Sequence, residues 1–381
     1  MPHWLTDEHT QIRDAVRRFA EEQIAPISEQ LWDEQAFPYK IWQAAGELGF
    51  TGLPYPEVHG GGNGSWLSFT IVLEELARVD CAVANSLMAN ATVASLLSNF
   101  GTEAQQREFL RPILDGRRIG AIGLTEPDAG SDAANIATRA TLEDGRWVIN
   151  GAKTFISNSG TEVTGAVVIA AVTGQRPDGR KEISNFIVPQ GAQGFVTGRK
   201  LKKIGWCASS THELFFENCG VPAGNLLGER GAGLRQTLSQ ISTGRILIGA
   251  LGLGVLQGSL ERSIAYMKQR RAFGRPIAEF QALQFKVADM ATHAEAARLM
   301  LYDAAARKDA GRPFDQSASM AKLFTTERAM EAAHQALQIH GGYGISSEYP
   351  VARAFGDAKV LEIVEGTSEI QRMIISRALL A

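Results

Sequence analysis

At Gly123-Leu124-Thr125-Glu126-Pro127-Asp128-Ala129-Gly130-Ser131-Asp132 the chain changes character. Before this stretch apolar residues recur at helical spacing. After it, β-branched runs recur between Gly, Asp and Asn. Thr125 and Ser131 place hydroxyls at either end of a turn rich in Pro, Asp and Gly, and such a loop offers backbone N–H groups to a polar ligand. A plain turn accounts for the same residues, so its significance depends on its flanks.

Upstream, Ile12, Val16, Phe19 and Ile24 lie on one helical face, with Thr6 as N-cap and Pro26 just past the end. Further helices are expected over Trp42 to Leu48, Trp66 to Arg78, Cys81 to Phe100 and Glu103 to Leu114, with turn clusters such as His59-Gly60-Gly61-Gly62-Asn63-Gly64 between them. Residues 1–119 are expected to form an N-terminal α-helical domain. Downstream, strands are expected at Trp147 to Asn150 after the Asp144-Gly145 turn, at Ala166 to Thr173, Phe186 to Pro189 and Glu213 to Phe216. Residues 120–230 are therefore expected to form a middle β domain of barrel or sandwich type. From Gly231 the helical period returns in long segments near Leu234 to Arg271, Phe280 to Asp309, Gln316 to His340 and Val351 to Leu380, a four-helix bundle over 231–381. The α, β, α order without strand–helix alternation gives an α+β multidomain fold and argues against a doubly wound sheet.

The 381 residues carry a formal net charge of -3 and 45% hydrophobic residues. No excess of positive charge calls for nucleic acid or anionic lipid. Cys81, Cys207 and Cys219 form no C-x-x-C pair, and the histidines form no H-E-x-x-H pattern, so neither a disulfide framework nor a metal site is expected. The first residues, with Asp7 and Glu8, lack the apolar core of a signal peptide. The apolar runs at Gly165 to Val172 and Ile246 to Leu256 read as too short to span a bilayer, and a cytoplasmic protein is expected. Gly252-x-Gly254 with Gly258 lies inside a helical pattern and follows no strand, so close helix packing is expected there instead of a dinucleotide site.

Near the end stands Val364-Glu365-Gly366-Thr367-Ser368-Glu369-Ile370-Gln371-Arg372. Ser368 with Gln371 makes a capping-box pattern, and Thr367 could serve the same end. Glu365 is thus expected in the turn before a helix, where Gly366 permits a backbone angle that aims a carboxylate into a cavity. That makes it a candidate catalytic base; an acidic residue offsetting a helix dipole is the alternative. A second segment, Asn150-Gly151-Ala152-Lys153-Thr154-Phe155-Ile156-Ser157-Asn158, puts Phe155 and Ser157 on one side of a regular strand, an aromatic face beside a hydroxyl.

Taken in order with Gln269-Arg270-Arg271-Ala272-Phe273-Gly274, Phe280-Gln281-Ala282-Leu283-Gln284 and Gln338-Ile339-His340-Gly341-Gly342-Tyr343-Gly344, these segments make the chain resemble an acyl-CoA dehydrogenase over essentially its whole length. The resemblance implies an FAD enzyme that forms a trans double bond between the α and β carbons of an acyl-CoA thioester. It implies that Leu124 and Thr125 meet the flavin edge, that Ser157 bonds near N5, that Phe155 lies over the ring, and that Ser131 sits between flavin and pantetheine. It further implies a homotetramer in which Arg270, Phe273, Gln281, Gln284, Gln338, Gly341 and Gly342 meet a neighbour's FAD, while Thr367 and Glu369 meet the adenosine end of the subunit's own. Glu365 would take the α-proton, with its own N–H and a ribityl hydroxyl stabilising the enolate, and the β-hydrogen would leave as hydride to flavin N5. An electron-transfer flavoprotein would reoxidise the flavin.

Some members carry the base directly before an arginine on the first long C-terminal helix; here that position is Gly244, ahead of Arg245, a substrate-pocket candidate. Many relatives have Trp at Phe155, Tyr at Val364 and Asp at Ser210. Val364, beside Glu365 and Gly366 in the substrate pocket, is expected to leave room for a branched acyl group. An oxidase on the same fold, a dehydrogenase of carrier-protein-bound acyl groups and a non-catalytic flavoprotein scaffold are the alternatives.

Overall fold

The computed structural model describes residues 5–380. Residues 1–4 and 381, which end the first and third expected domains and include the start of the segment read against a signal peptide, lie outside the described residues.

The chain opens with helices α1 (Asp7–Phe19), α2 (Ser28–Glu34), α3 (Tyr39–Glu47), α4 (Trp66–Val79) and α5 (Cys81–Phe100). Short helices α6 (Glu103–Gln105) and α7 (Arg111–Leu114) follow, joined by a π-helical turn over Gln106–Leu110. Thr6 caps α1 reciprocally with His9, as its position predicts. Asp80 caps α5 by accepting from the Ala82 and Val83 N–H groups.

The strands are β1 (Ile119–Gly123), β2 (Arg139–Glu143), β3 (Arg146–Ser157), β4 (Thr164–Gln175), β5 (Lys181–Pro189), β6 (Phe195–Lys200), β7 (Thr211–Pro222) and β8 (Leu226–Leu227). They form one mixed sheet in the order β6-β7-β3-β2-β4-β5-β8, with β1 parallel to β4. The sheet folds over on itself. Trp147, Ile149, Leu214 and Phe216 of β3 and β7 pack on Val167, Ile169, Phe186 and Val188 of β4 and β5, with the Trp147 and Phe186 rings 5.0 Å apart. The alternate residues of β4, Ala166 and Val168, pack outward on Leu96, Leu97 and Ile113 of the helices. Burial on both faces explains why β4 reads as a continuous apolar run without alternation.

The last segment contains α8 (Gly233–Gln269), a hairpin of β9 (Arg271–Ala272) and β10 (Arg275–Pro276), α9 (Gln281–Asp309), α10 (Asp315–His340), α11 (Pro350–Ile363) and α12 (Ser368–Leu380). The stretch expected as one segment from Val351 to Leu380 is thus two helices, broken where Glu365 and Gly366 take φ of 53° and 91°. The first and last helical sets share one core, in which Leu73, Leu76, Leu251, Val255, Leu301 and Ala329 belong to a single cluster. Contact between α4 and α8 is close because of glycine. A Cβ on Gly254 would lie 2.4 Å from the Glu74 carbonyl oxygen, and one on Gly258 2.3 Å from that of Arg78. The glycine pattern in α8 therefore serves packing.

One expectation needs correction. By length and composition α5 and α8 are long and apolar enough to cross a membrane, contrary to the estimate from the apolar runs. Both pack inside the protein, with 94% and 89% of their most apolar windows buried.

Candidate active site

Glu365 occupies the break between α11 and α12. Its left-handed φ is costly for a residue with a Cβ, so the surrounding groups must hold it. They do so through carbonyls: the Gln371 side-chain N–H₂ donates to Glu365 O (3.2 Å) and Gly366 O (2.8 Å), and Lys322 Nζ donates to Gly366 O (2.9 Å). Gln371 is therefore a clamp on the turn. The cap of α12 is Thr367, whose Oγ1 accepts from the Ile370 N–H, and not the Ser368–Gln371 box.

The carboxylate itself points inward. Glu365 Oε2 is buried with no hydrogen-bond partner among the described residues, and a Cβ added at Gly244 would lie 2.5 Å from it. Gly244 of α8 thus leaves open the space that the Glu365 carboxylate fills. Burial raises the Glu365 carboxyl to about 7, against the opposing pull of Arg245 and Lys322. Arg245 is buried, donates to Ser242 Oγ at 3.3 Å, and keeps Nε unpaired. Val364, half-buried, packs against the main core beside the turn. Gly244→Ala is expected to push the carboxylate aside and lower turnover by about tenfold or more with little loss of fold, measured as kcat beside a thermal melt. Unchanged kcat would show that the carboxylate has slack.

The loop quoted at the outset is anchored from below. Glu126 is buried and accepts from Ala137 N–H (2.5 Å), Thr138 N–H (3.0 Å) and Lys153 Nζ (2.7 Å). Lys153, whose side chain is fully buried in β3, also donates to Leu124 O at 3.2 Å. The Thr154 N–H donates to Thr125 O (3.0 Å), so the two segments that sequence singled out are joined. Leu124 packs in a small cluster with Ile136 and Leu234, Thr125 is half-buried and Ser131 exposed. Both members of the Lys153–Glu126 pair stood inside quoted motifs, and sequence reasoning passed over them. The available signal was a lysine at a strand position flanked by β-sheet residues.

Phe155 departs from regular alternation. It has φ of 60°, lies within a bulge in the β3–β7 pairing, and leaves 66% of its surface exposed, whereas Ser157 is half-buried. The period-two argument that put the two on one side of the strand is therefore interrupted at Phe155 itself. A large aromatic residue held outward at strained backbone is a feature in need of a partner.

Four further residues come together elsewhere. Arg270, Gln338, Gly341 and Gly342 line one open cavity of about 520 Å³ with Tyr266, His340 and Tyr343. The Arg270 guanidinium lies over the Tyr343 ring, 5.8 Å from its centre. Gly341 has φ of 60°, and a Cβ there or at Gly342 would meet nothing, so the backbone is open to a ligand. Phe273, 94% exposed, tips the adjacent hairpin, and Gln281 and Gln284 are exposed at the start of α9. Thr367 is half-buried and Glu369 exposed at the start of α12.

A buried carboxylate with an unpaired oxygen, an aromatic ring held outward, and glycine backbone open on a cavity suit a large planar cofactor with a phosphate-bearing tail. The class so defined is a flavin-dependent oxidoreductase. Comparison with known proteins gives the family. Its models match throughout: the acyl-CoA dehydrogenase N-terminal domain over residues 6–117, the middle domain over 121–219 and the C-terminal domain over 231–380. A probable acyl-CoA dehydrogenase of Bacillus subtilis is 44% identical over 377 residues, covering 99% of each chain. The butyryl-CoA dehydrogenase of Megasphaera elsdenii superposes with a TM-score of 0.95 at 39% identity over all of both chains. A chain in a structure of the electron-transferring flavoprotein of Acidaminococcus fermentans does so with a TM-score of 0.95 at 41% identity, again over all of both. The chain belongs to the acyl-CoA dehydrogenase family. It is an oxidoreductase that uses FAD to dehydrogenate acyl-CoA thioesters.

Proposed function

We propose that Glu365 is the base that removes the α-proton of the acyl-CoA, and that a short-chain acyl group is the substrate. The observation that carries this is the Glu365 carboxylate, buried, with Oε2 unpaired, and raised to about 7. A thioester α-hydrogen is weakly acidic, so its base needs both reach and a proton affinity near the working pH. Desolvation supplies the second. The Glu365 backbone N–H serves as a donor to the thioester oxygen, where negative charge develops. When bound, FAD supplies the acceptor for the hydride that leaves the β-carbon.

Leu124, Thr125, Ser131, Phe155 and Ser157 hold the flavin end. Arg270, Phe273, Gln281, Gln284, Gln338, Gly341 and Gly342 hold the adenosine diphosphate end of a neighbouring subunit's FAD in a homotetramer, with Thr367 and Glu369 on the subunit's own. The openness of the cavity and the exposure of Phe273 support that assignment. Arg245, Val364 and Gly366 line the acyl pocket, with Ser131 toward the pantetheine. An electron-transfer flavoprotein as acceptor is supported by the Acidaminococcus fermentans neighbour, and a short acyl chain by the butyryl-CoA dehydrogenase. The divisions at 119 and 230 are proposed as domain boundaries in a cytoplasmic enzyme.

Anaerobic mixing of the FAD-loaded protein with straight and branched short-chain acyl-CoA thioesters tests the function directly. Bleaching of the flavin with trans-2-enoyl-CoA as product is expected, fastest with branched chains if Val364 leaves the room its size suggests. No bleaching with any of them would refute the assignment, and stoichiometric peroxide in air would make the enzyme an oxidase.

The base also sets a pH dependence. Glu365 works as the carboxylate, so the second-order bleaching rate at low substrate, which reports the substrate-free protein, is expected to fall as pH drops through about 7, tenfold per pH unit below that point. A rate flat from pH 5.5 to 8.5 would contradict it.

A further inference from the structure

We infer that Lys322 is a positioning residue for this reaction: from α10 it locks the Glu365–Gly366 turn through Gly366 O and brings a positive charge to the link that carries the base. The inference rests on Glu365 being the base.

Lys322 is fully buried, on a helix face where Ala318, Ser319, Ala321, Thr325 and Thr326 are also buried. An ammonium group there is costly unless it has a task. Among the described residues its Nζ makes no carboxylate ion pair; it donates to two carbonyls, Gly366 O at 2.9 Å and Glu362 O at 3.4 Å. Both lie on the link that carries the base, the last turn of α11 and the break after it. Gly366 O receives a second donor, the neutral Gln371 side chain at 2.8 Å. The turn is therefore held by two side chains from two helices, one charged and one not.

That pairing separates two effects. Both donors fix the backbone of Glu365 at its left-handed φ, but only Lys322 also adds a positive charge. The charged groups around the site are Arg245 from α8, Lys322 and Glu327 from α10, and Glu362 from α11, with Asp315 acting on Arg245. Toward the Glu365 carboxyl the two cations, Arg245 and Lys322, favour the ionised form against burial. Burial in turn pushes the Lys322 ammonium down to about 8, still mostly charged at neutral pH.

The test is the pH profile of anaerobic flavin bleaching for the FAD-loaded protein and the Lys322→Met, Lys322→Gln and Gln371→Ala variants. Met adds no volume and removes donor and charge together. It is expected to slow bleaching at least tenfold at pH 7 and to move the acid limb upward by about one pH unit. Gln restores a donor without charge, so the limb should stay high while the plateau rate at alkaline pH recovers in part. Gln371→Ala should lower the plateau and leave the limb in place. A limb that stays put in both Lys322 variants overturns the inference, as does failure of both to retain FAD and fold, which would make the lysine structural only. Loss of the base assignment reads differently: Glu365→Gln would then bleach normally whatever Lys322 does.

Discussion

Lys153→Met is expected to cost the folded protein about 3–5 kcal/mol and to loosen its hold on FAD at least tenfold, with the acyl pocket untouched. The reason lies in what Met would leave behind. Glu126 is 6% exposed, and its donors include the Ala137 and Thr138 N–H groups and Lys153 Nζ. Removing the cation strands a carboxylate in a low-dielectric interior, where an unpaired charge is far more costly than the pair. Lys153 also ties down Leu124 O, and the neighbouring Thr154 N–H holds Thr125 O, so the loop proposed to hold the flavin loses its footing. Urea unfolding and FAD titration check both parts. Adding Glu126→Gln should restore part of the stability, because the stranded charge is gone. A single variant with wild-type stability and FAD affinity would show that the pair carries neither load.

The α, β, α order was legible because each region keeps one period over many residues, and long helices such as α8 and α10 start within a residue or two of where periodicity puts them. The short strands β1, β6 and β8 were not. They are too brief to show alternation and exist through pairing with β4, β7 and β5. The placement of Glu365 in a turn before a helix was legible because glycine and a cap follow it. The strain at Phe155 was hidden, since φ of 60° at an aromatic residue follows from a bulge between strands far apart in sequence. Lys322 and Gln371 were hidden for a similar reason: each bonds to a carbonyl, and any residue supplies one. Gly244 was read as an empty slot. Only in three dimensions does it become the space that Glu365 Oε2 fills.

Glu365→Gln carries the largest expected effect on turnover. The amide keeps the size of the carboxylate but cannot accept the α-proton, and a positioned general base is worth roughly 10²–10⁴-fold. The same substitution should stabilise the fold. A carboxyl at about 7 in the folded state against an ordinary 4.5 holds its proton more tightly when folded. Its contribution is complete below about pH 4.5 and is lost as pH rises through about 7. Above that pH the native protein bears the burial cost of an ionised Glu365, which the variant avoids, so Glu365→Gln should be more stable by up to about 3 kcal/mol at pH 8 and no different near pH 4.5. Slow turnover with raised alkaline stability distinguishes a lost base from a damaged fold.

The central claim meets its most direct test in anaerobic stopped-flow of the FAD-loaded wild type and Glu365→Gln with butyryl-CoA at pH 8, at equal flavin content. The wild type should bleach rapidly, and the variant should bind the thioester yet bleach at least a hundredfold more slowly. Equal bleaching rates in the two proteins would contradict Glu365 as the base.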